Sequence, residues 1–216
     1  MEANKVIDEQ LDTRDRLLNT ALWLFAEQGF KATSLRQITQ EAGANVASVN
    51  YHFGSKKEML NELIRRRVEP LNKRRFALLE KYRIEAAGQP ITLEKIFEAF
   101  FLPFFQSVAP YTDKDTMDLI HIIERLTEQP TLRQAVYDEH FKKLSITILE
   151  ALSETLPELE PAELHWRFHF SVTLMLSSMS TRQRVGNSSK GLCAPEDIEG
   201  MVARLIQFIC AGFRAK

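Results

Sequence analysis

Residues 33–60 read TSLRQITQEAGANVASVNYHFGSKKEML, and this stretch decides the fold. Apolar residues recur with helical period on both sides of Gly43, and Ser34 and Asn45 are residue types that cap the first turn of a helix. The stretch therefore predicts two short helices that meet at a glycine turn. Each helix is too short to be stable alone, so both must pack on a neighbouring element. This is the geometry of a helix-turn-helix, whose second helix can enter a DNA major groove.

The segments around this stretch extend the helical pattern. Residues 13–28 form an apolar helix face, and Ser55 with Glu58 has capping-box spacing for a long helix that ends near Arg83, with a kink expected at Pro70. We find no alternating strand pattern of useful length. Five further helices are predicted, at 92–109, 113–129, 131–156, 162–183 and 198–213. The predicted fold class is all-α with about nine helices.

Composition limits the protein class before any motif is considered. The chain has 216 residues, of which 44% are hydrophobic and 26% charged, which is typical of a globular protein. No apolar run approaches the roughly 18 residues of a membrane helix, and the polar N-terminus does not read as a secretory signal. Cys193 and Cys210 are the only cysteines. We therefore expect a cytoplasmic protein without a membrane partner.

Enzyme chemistry is not predicted. The sequence contains no glycine-rich phosphate loop, no His/Cys cluster with metal-ligand spacing and no nucleophile elbow. We expect no catalytic residues, no cofactor and no bound metal. Residues 55–85 hold ten Lys/Arg against five Asp/Glu, a basic segment that we interpret as a solvated helix face.

The second short helix carries unusual residues for a solvated surface. Ala47 and Ser48 are small enough to allow close approach to base edges, while Asn50 and Tyr51 have polar tips that can reach phosphate oxygens. Lys56 begins the next helix, where free backbone N–H groups and a cation favour a phosphate. A plain helical hairpin explains this combination less well than a DNA-binding surface does.

The stretches LLNTALWLFAEQGFKATSLRQITQEAG (17–43) and SVNYHFGSKKEML (48–60) resemble the tetracycline-repressor (TetR) family of DNA-binding regulators. The resemblance implies a ligand-responsive repressor that binds a palindromic double-stranded DNA operator as a homodimer. It also implies a DNA-binding domain at 1–60 and a ligand-binding and dimerisation domain at 61–216. By this resemblance Thr33, Ser34 and Arg36 face a phosphate or groove edge, Asn45, Val46, Ala47 and Ser48 read the bases, and Asn50, Tyr51, His52 and Lys56 hold the DNA backbone.

The second domain offers candidate ligand residues. Phe97, Phe101 and Phe104 lie on one predicted helix, where they form either core or the lining of a cavity. His121 and Arg125 are one helical turn apart among apolar residues, so one charge is expected to point inward. The partner of such a charge is either an internal carboxylate or the carboxylate of a ligand.

The last two predicted helices complete these expectations. Trp166 and His169 lie on the penultimate helix and are further candidate ligand residues. Both helices carry more apolar surface than one monomer covers, which predicts a homodimer through a four-helix bundle. The stretches HWRFHFSVTLMLSSMS (165–180) and FICAGFRAK (208–216) resemble the PsrA-type, fatty-acid-responsive branch of the family, which implies a small lipophilic ligand such as a fatty acid or acyl-coenzyme A. The alternative function is a helical lipid-binding or interaction protein that does not bind DNA.

Overall fold

The computed structural model describes residues 12–107, 114–126 and 129–215, and these residues form ten helices and no strands. The all-helical prediction is confirmed. The helices are α1 (Thr13–Gln28), α2 (Leu35–Glu41), α3 (Val46–Phe53), α4 (Lys56–Glu85), α5 (Leu93–Ser107), α6 (Lys114–Arg125), α7 (Pro130–His140), α8 (Lys142–Thr155), α9 (Pro161–Ser188) and α10 (Ile198–Arg214).

The chain divides into two compact units. The first unit comprises Met1–Glu69 and Asp113–His140, and the second comprises Pro70–Thr112 and Phe141–Lys216. The division falls within α4, whose first turns bury Met59 and Leu60 in the first unit. The functional boundary predicted at residue 60 stays a prediction, because the compact units describe packing and not activity.

The first unit is organised around α1. This helix packs on α2, α3 and α6, and α2 also packs on α3. Leu17, Leu24 and Phe25 of α1 are completely buried, as are Ile38 of α2 and Val49 of α3. Because each short helix contributes its few apolar residues to this shared core, α2 and α3 hold positions that they could not maintain alone.

The second unit buries the phenylalanines of α5. This helix packs on α8 and α10, and α9 packs on both α8 and α10. The ring centroid of Phe97 lies 5.4 Å from that of Phe101 and 5.1 Å from that of Phe213. The ring centroids of Phe100 and Phe168 are 5.6 Å apart. These tilted aromatic pairs join α5 to the last two helices and form the core of the unit.

Several predicted helix bounds differ from the structure. The single helix predicted at 131–156 is wrong, because Phe141 leaves helical geometry (φ −121°) and separates α7 from α8. No glycine or proline marks this break, which coincides with the division between the compact units. Conversely, α9 continues through the predicted loop at Gly186 as far as Ser188. The long helix predicted to end near Arg83 is confirmed, since α4 includes Pro70 and ends at Glu85. The predicted ends at 108–109 and at 113 lie outside the described residues.

Candidate nucleic-acid interface

Helix α2 is fixed at its start by two side-chain hydrogen bonds. Ser34 Oγ accepts from the backbone N–H of Gln37 at 3.1 Å, as its predicted capping role requires. Thr33 Oγ1 donates to the carbonyl oxygens of Gly29 at 2.9 Å and Leu24 at 3.2 Å. These bonds tie the residue before α2 to the end of α1 and set the direction in which α2 leaves it.

Helix α3 is held by its cap and by two buried residues. Asn45 Oδ1 accepts from the backbone N–H of Ser48 at 2.9 Å, and Ser48 Oγ lies 3.1 Å from the same oxygen. Val49 and Phe53 face the core. Since these residues are four apart, they fix the rotation of α3 about its axis and turn its other side outward.

We call the outward side of α3 the reading face and define it as Val46, Ala47, Asn50 and Tyr51. All four are exposed, and Tyr51, the largest of them, is 85% exposed. His52 is half-buried, and its ring centroid lies 5.0 Å from that of Tyr51. The structure therefore groups these sequence-predicted residues on one surface.

The outer rim of this surface includes other predicted residues. Ser34, Arg36 and Asn45 are exposed, and Ser48 is half-buried. No Asp or Glu occurs between residues 42 and 57, so the reading face is free of local repulsion toward a polyanion.

The structure corrects the predicted role of Thr33. Its side chain is only 1% exposed, and its hydroxyl is already bonded to two carbonyl oxygens. The side chain has no surface left for a phosphate or a groove edge. Thr33 positions α2 and does not belong to the reading face.

Lys56 is bonded within the protein, and its predicted phosphate contact stays a prediction. Its Nζ donates to the carbonyl oxygens of Phe30 at 2.8 Å and Thr33 at 2.6 Å, and it lies 4.3 Å from the centre of the Phe30 ring. Burial lowers the pKa of Lys56 below its ordinary value. The ammonium group therefore joins the start of α4 to the α1–α2 connection, so that two of its three N–H donors are used within the protein.

The predicted ligand residues do not form one cluster. Phe97, Phe101 and Phe104 are buried in the second unit as core residues. His121 and Arg125 are both exposed and belong to the first unit, so the expectation that one of these charges points into an apolar interior is wrong. Arg125 Nη1 instead donates to the carbonyl oxygen of Glu27 at 2.9 Å, at the end of α1.

Trp166 and His169 lie on the exposed side of α9. Trp166 is 58% exposed and stacks on Phe170, with ring centroids 5.7 Å apart. Leu174 continues this exposed stripe one turn later. The spacing of four residues places Trp166, Phe170 and Leu174 on a surface and not in the phenylalanine core.

Sequence reasoning missed Arg75, which is only 3% exposed in the second unit. It was included in the basic segment read as a solvated face. A signal was present, because Arg75 lies in helical phase with the buried residues Val68, Leu79 and Tyr82. A cation in phase with an apolar stripe indicates a buried charge.

Two properties of the described residues bear on other functions. None of the ten helices is long and apolar enough to cross a membrane. Within the same residues, no group of three or more His, Cys, Asp or Glu side chains has an arrangement that could hold a metal ion.

Comparisons with known proteins agree with the geometry of the reading face. Residues 17–63 match the model of bacterial regulatory proteins of the tetR family. The chain is 40% identical over 62 residues to the HTH-type transcriptional repressor KstR2 of Mycobacterium tuberculosis, which is 29% of this chain and 31% of that protein. It is 33% identical over 146 residues to KstR2 of Rhodococcus jostii, which is 64% of each chain.

The solved structures support the fold of the whole chain. The structure of the ketosteroid transcriptional regulator KstR2 of Mycobacterium tuberculosis superposes with a TM-score of 0.59 at 20% identity and covers 93% of this chain and 94% of that one. The chain spans less than a third of the length of the curated mycobacterial relatives that it matches in sequence. Residues 98–212, more than half of the chain, match the model of the tetracyclin repressor-like C-terminal domain, so the protein belongs to the tetracycline-repressor family.

Proposed function

We propose that this protein is a transcriptional repressor that binds a palindromic DNA operator through the reading face. The observation that carries the proposal is the exposure of Tyr51 and its neighbours on a capped, rigidly positioned short helix. Small side chains at Ala47 and Ser48 allow base edges to approach, and Asn50 and Tyr51 supply hydrogen-bonding groups. The protein acts without catalysis, and it is cytoplasmic because its partner is genomic DNA.

Fewer residues contact DNA in this proposal than the sequence predicted. Asn45, Val46, Ala47 and Ser48 contact the bases. Asn50, Tyr51 and His52 contact the DNA backbone, and Ser34 and Arg36 contact a phosphate or groove edge. Thr33 and Lys56 act as positioning residues, since their polar groups bond to the protein's own carbonyl oxygens.

DNA binding is tested first by selecting duplexes from a random library and titrating salt against the selected sequence. We expect a palindrome and an affinity that falls with salt, because a cation at the phosphate backbone, here Arg36, releases counterions from the DNA. Failure to select any duplex at low ionic strength would contradict the proposal and favour the lipid-binding or interaction protein.

A matched pair of tyrosine variants locates the interface. Tyr51→Ala is expected to weaken operator binding about tenfold or more, because an exposed contact is lost while the core is untouched. Tyr137→Ala is the control, since Tyr137 is also an exposed tyrosine of the first unit but lies on α7. Equal affinities for the two variants would show that α3 is not the recognition helix.

The dimer in this proposal is formed by the exposed apolar stripes of α9 and α10. Phe208 is 70% exposed on α10, and Trp166 and Phe170 are exposed on α9. Arg167 Nη1 donates to three carbonyl oxygens at the end of α10, including that of Gly212 at 2.9 Å, so it anchors α9 to the helix that carries Phe208. An exposed aromatic surface of this kind is typical of an interface.

Sedimentation of two aspartate variants tests the dimer. Phe208→Asp is expected to give a monomer, because the interface would have to bury an unpaired carboxylate. Leu192→Asp is the control, since Leu192 is 91% exposed in the connection between α9 and α10. A dimer that persists in the Phe208→Asp variant would exclude this interface.

The effector in this proposal is a small lipophilic compound, such as a fatty acid or acyl-coenzyme A, that binds in the second unit and releases the DNA. The buried phenylalanines of α5 supply an apolar environment for it. Release of preformed complexes by fatty acids or acyl-coenzyme A, measured by fluorescence anisotropy, tests this step. If no lipophilic compound releases the DNA, the protein is a repressor without this control.

A further inference from the structure

Arg75 lies in the interior of the second unit with neutral hydrogen-bond partners. Its Nε donates to the carbonyl oxygen of Phe100 at 2.8 Å, and Nη1 donates to Asn72 Oδ1 at 3.3 Å. Its Nη2 is 3.7 Å from Met175 Sδ, a weak acceptor. None of these acceptors carries a negative charge, so the positive charge of Arg75 is stabilised only by neutral groups, which include the face of the Phe100 ring.

This arrangement is costly for the folded protein. A buried cation normally has a carboxylate as its partner, because desolvation is repaid only by a close opposite charge. Burial lowers the pKa of Arg75 to about 9, so the guanidinium group is still protonated at neutral pH. The second unit therefore contains a positive charge that an anion would stabilise.

The guanidinium group also has donors to offer. It carries five N–H groups, and three are used by Phe100, Asn72 and Met175. The other two, one on Nη1 and one on Nη2, have no partner among the described residues. They are carried by the two terminal nitrogens of the guanidinium group, and two such nitrogens can bind the two oxygens of one carboxylate.

The groups around Arg75 are apolar. The Phe100 ring centre lies 4.6 Å from the guanidinium carbon, and Phe168 lies 5.6 Å from Phe100. Met175 is buried, and its unbranched thioether side chain can adopt other rotamers to make room for a ligand. A ligand that reaches Arg75 must therefore have an apolar body as well as a negative charge.

We propose that the second unit binds an apolar monocarboxylate whose carboxylate group lies on the Nη1–Nη2 edge of Arg75. The inference deepens the proposed function by naming the chemical class of its effector, and it rests on that function only for the regulatory consequence. One buried guanidinium group balances one negative charge, which favours a free carboxylic acid over a headgroup with several charges.

Calorimetric titration of the full chain with matched pairs of compounds tests the charge requirement. The probes are carboxylates of several chain lengths, such as decanoate, dodecanoate and hexadecanoate, and the alcohols of the same lengths. The carboxylate that binds best is expected to bind about tenfold or more tightly than its alcohol, because a charge-assisted hydrogen bond is lost in the alcohol. Equal binding of the pair, or no binding by any probe, would overturn the proposal.

Two variants at Arg75 and one control assign the preference to this residue. Arg75→Met and Arg75→Gln remove the charge, and Gln also keeps a donor for the carbonyl oxygen of Phe100. In both variants the preference for carboxylate over alcohol is expected to vanish. The control Arg74→Met, at an exposed neighbour, keeps it. A preference that survives in either folded Arg75 variant would overturn the proposal.

Thermal unfolding separates a ligand role from a structural one. If Arg75 serves the ligand, Arg75→Met without ligand melts at or above the temperature of the native protein, because an unbalanced buried charge has been removed. It also loses the rise in melting temperature that the carboxylate gives the native protein. A lower melting temperature together with an undiminished ligand-induced rise would assign Arg75 to the fold alone.

DNA binding is measured separately, so the two proposals can fail independently. A protein that selects no duplex but shows an Arg75-dependent carboxylate preference contradicts the repressor and supports the ligand site. A protein that binds an operator but prefers no carboxylate contradicts the ligand site and supports the repressor.

Discussion

The two halves of α4 place arginines in opposite environments. In the half that belongs to the first unit, Arg65 and Arg66 are exposed, and both bind the carboxylate of Glu62, at 2.7 Å and 3.0 Å. In the half that belongs to the second unit, Arg75 is buried and binds only neutral acceptors. On this one helix, the arginines that are exposed to water have a carboxylate partner, and the arginine that is buried has none.

This difference teaches how a basic segment should be interpreted. Exposed ion pairs contribute little to stability because water and salt screen them, so Arg65 and Arg66, which are exposed, are expected to add little through Glu62. A buried cation without a carboxylate is expensive, and its retention calls for an explanation beyond folding. The environment of each arginine is therefore predicted better by its position in the helical repeat than by the net charge of the segment.

The largest expected effect comes from reversing the buried charge. Arg75→Glu is expected to reduce the free energy of unfolding by about 3 kcal/mol or more, because a carboxylate would face the carbonyl oxygen of Phe100 in an apolar core. Urea unfolding measures the change. Arg74→Glu, at the exposed neighbour, should remain within about 0.5 kcal/mol of the native protein. A similar, small effect at both positions would mean that Arg75 is not buried in solution.

A second, intermediate effect is expected at Lys56, which is half-buried at the start of α4. Lys56→Met is expected to cost about 2 kcal/mol, because the carbonyl oxygens of Phe30 and Thr33 lose their charged donor. Urea unfolding compares it with Lys57→Met, a change at the exposed next residue. Operator affinity should fall in proportion to the loss of order in α2. If Lys56→Met weakens DNA binding without any loss of stability, Lys56 contacts phosphate as the sequence predicted.

The local parts of the fold were predictable because their causes are local. Ser34 and Asn45 cap α2 and α3 as expected, since a capping hydrogen bond needs only a side-chain oxygen and an N–H three residues later. The rotation of α3 followed from the apolar residues Val49 and Phe53. The exposure of Tyr51 then followed from helical geometry alone.

The parts that failed depend on tertiary contacts. Nothing in the sequence near Phe141 breaks a helix, and the break becomes intelligible only from the two compact units that it separates. One charge of His121 and Arg125 was expected to point inward because their neighbours are apolar. Both are exposed, and Arg125 donates to the carbonyl oxygen of Glu27, which lies 98 residues away in sequence. The bonds from Lys56 to the carbonyl oxygens of Phe30 and Thr33 were also missed, because these partners lie more than 20 residues away in sequence.

A smaller effect is expected at Glu62, the shared acceptor of the exposed arginines. Burial raises the pKa of Glu62, but the hydrogen bonds from Arg14 and Arg65 outweigh it, so the net pKa lies below the ordinary value of 4.5. Glu62→Gln is expected to cost about 1 kcal/mol at pH 7, because the carboxylate loses its charge but keeps its shape. Urea unfolding from pH 7 down to pH 3 measures the difference.

The sign of the pH dependence follows from the lowered pKa of Glu62. A carboxylate that is more acidic in the folded protein stabilises the fold above the unfolded pKa, and this stabilisation is lost as the pH falls through the folded pKa. The difference between native protein and the Glu62→Gln variant should therefore be constant from pH 7 to about 4.5 and shrink below. If the stability difference between the native protein and the variant grows as the pH falls, the charged form of Glu62 is destabilised by its surroundings.

The smallest effect is expected from Arg65→Met, whose side chain is 52% exposed in the native protein. Glu62 keeps Arg14 at 2.6 Å and Arg66 at 3.0 Å when Arg65 is removed, so its charge stays paired. The change in urea midpoint should be smaller than that of Glu62→Gln and should disappear at high salt, because screening removes what remains of an exposed ion pair. A large, salt-independent loss would place Arg65 in the same class as Arg75 and remove the contrast between the two halves of α4.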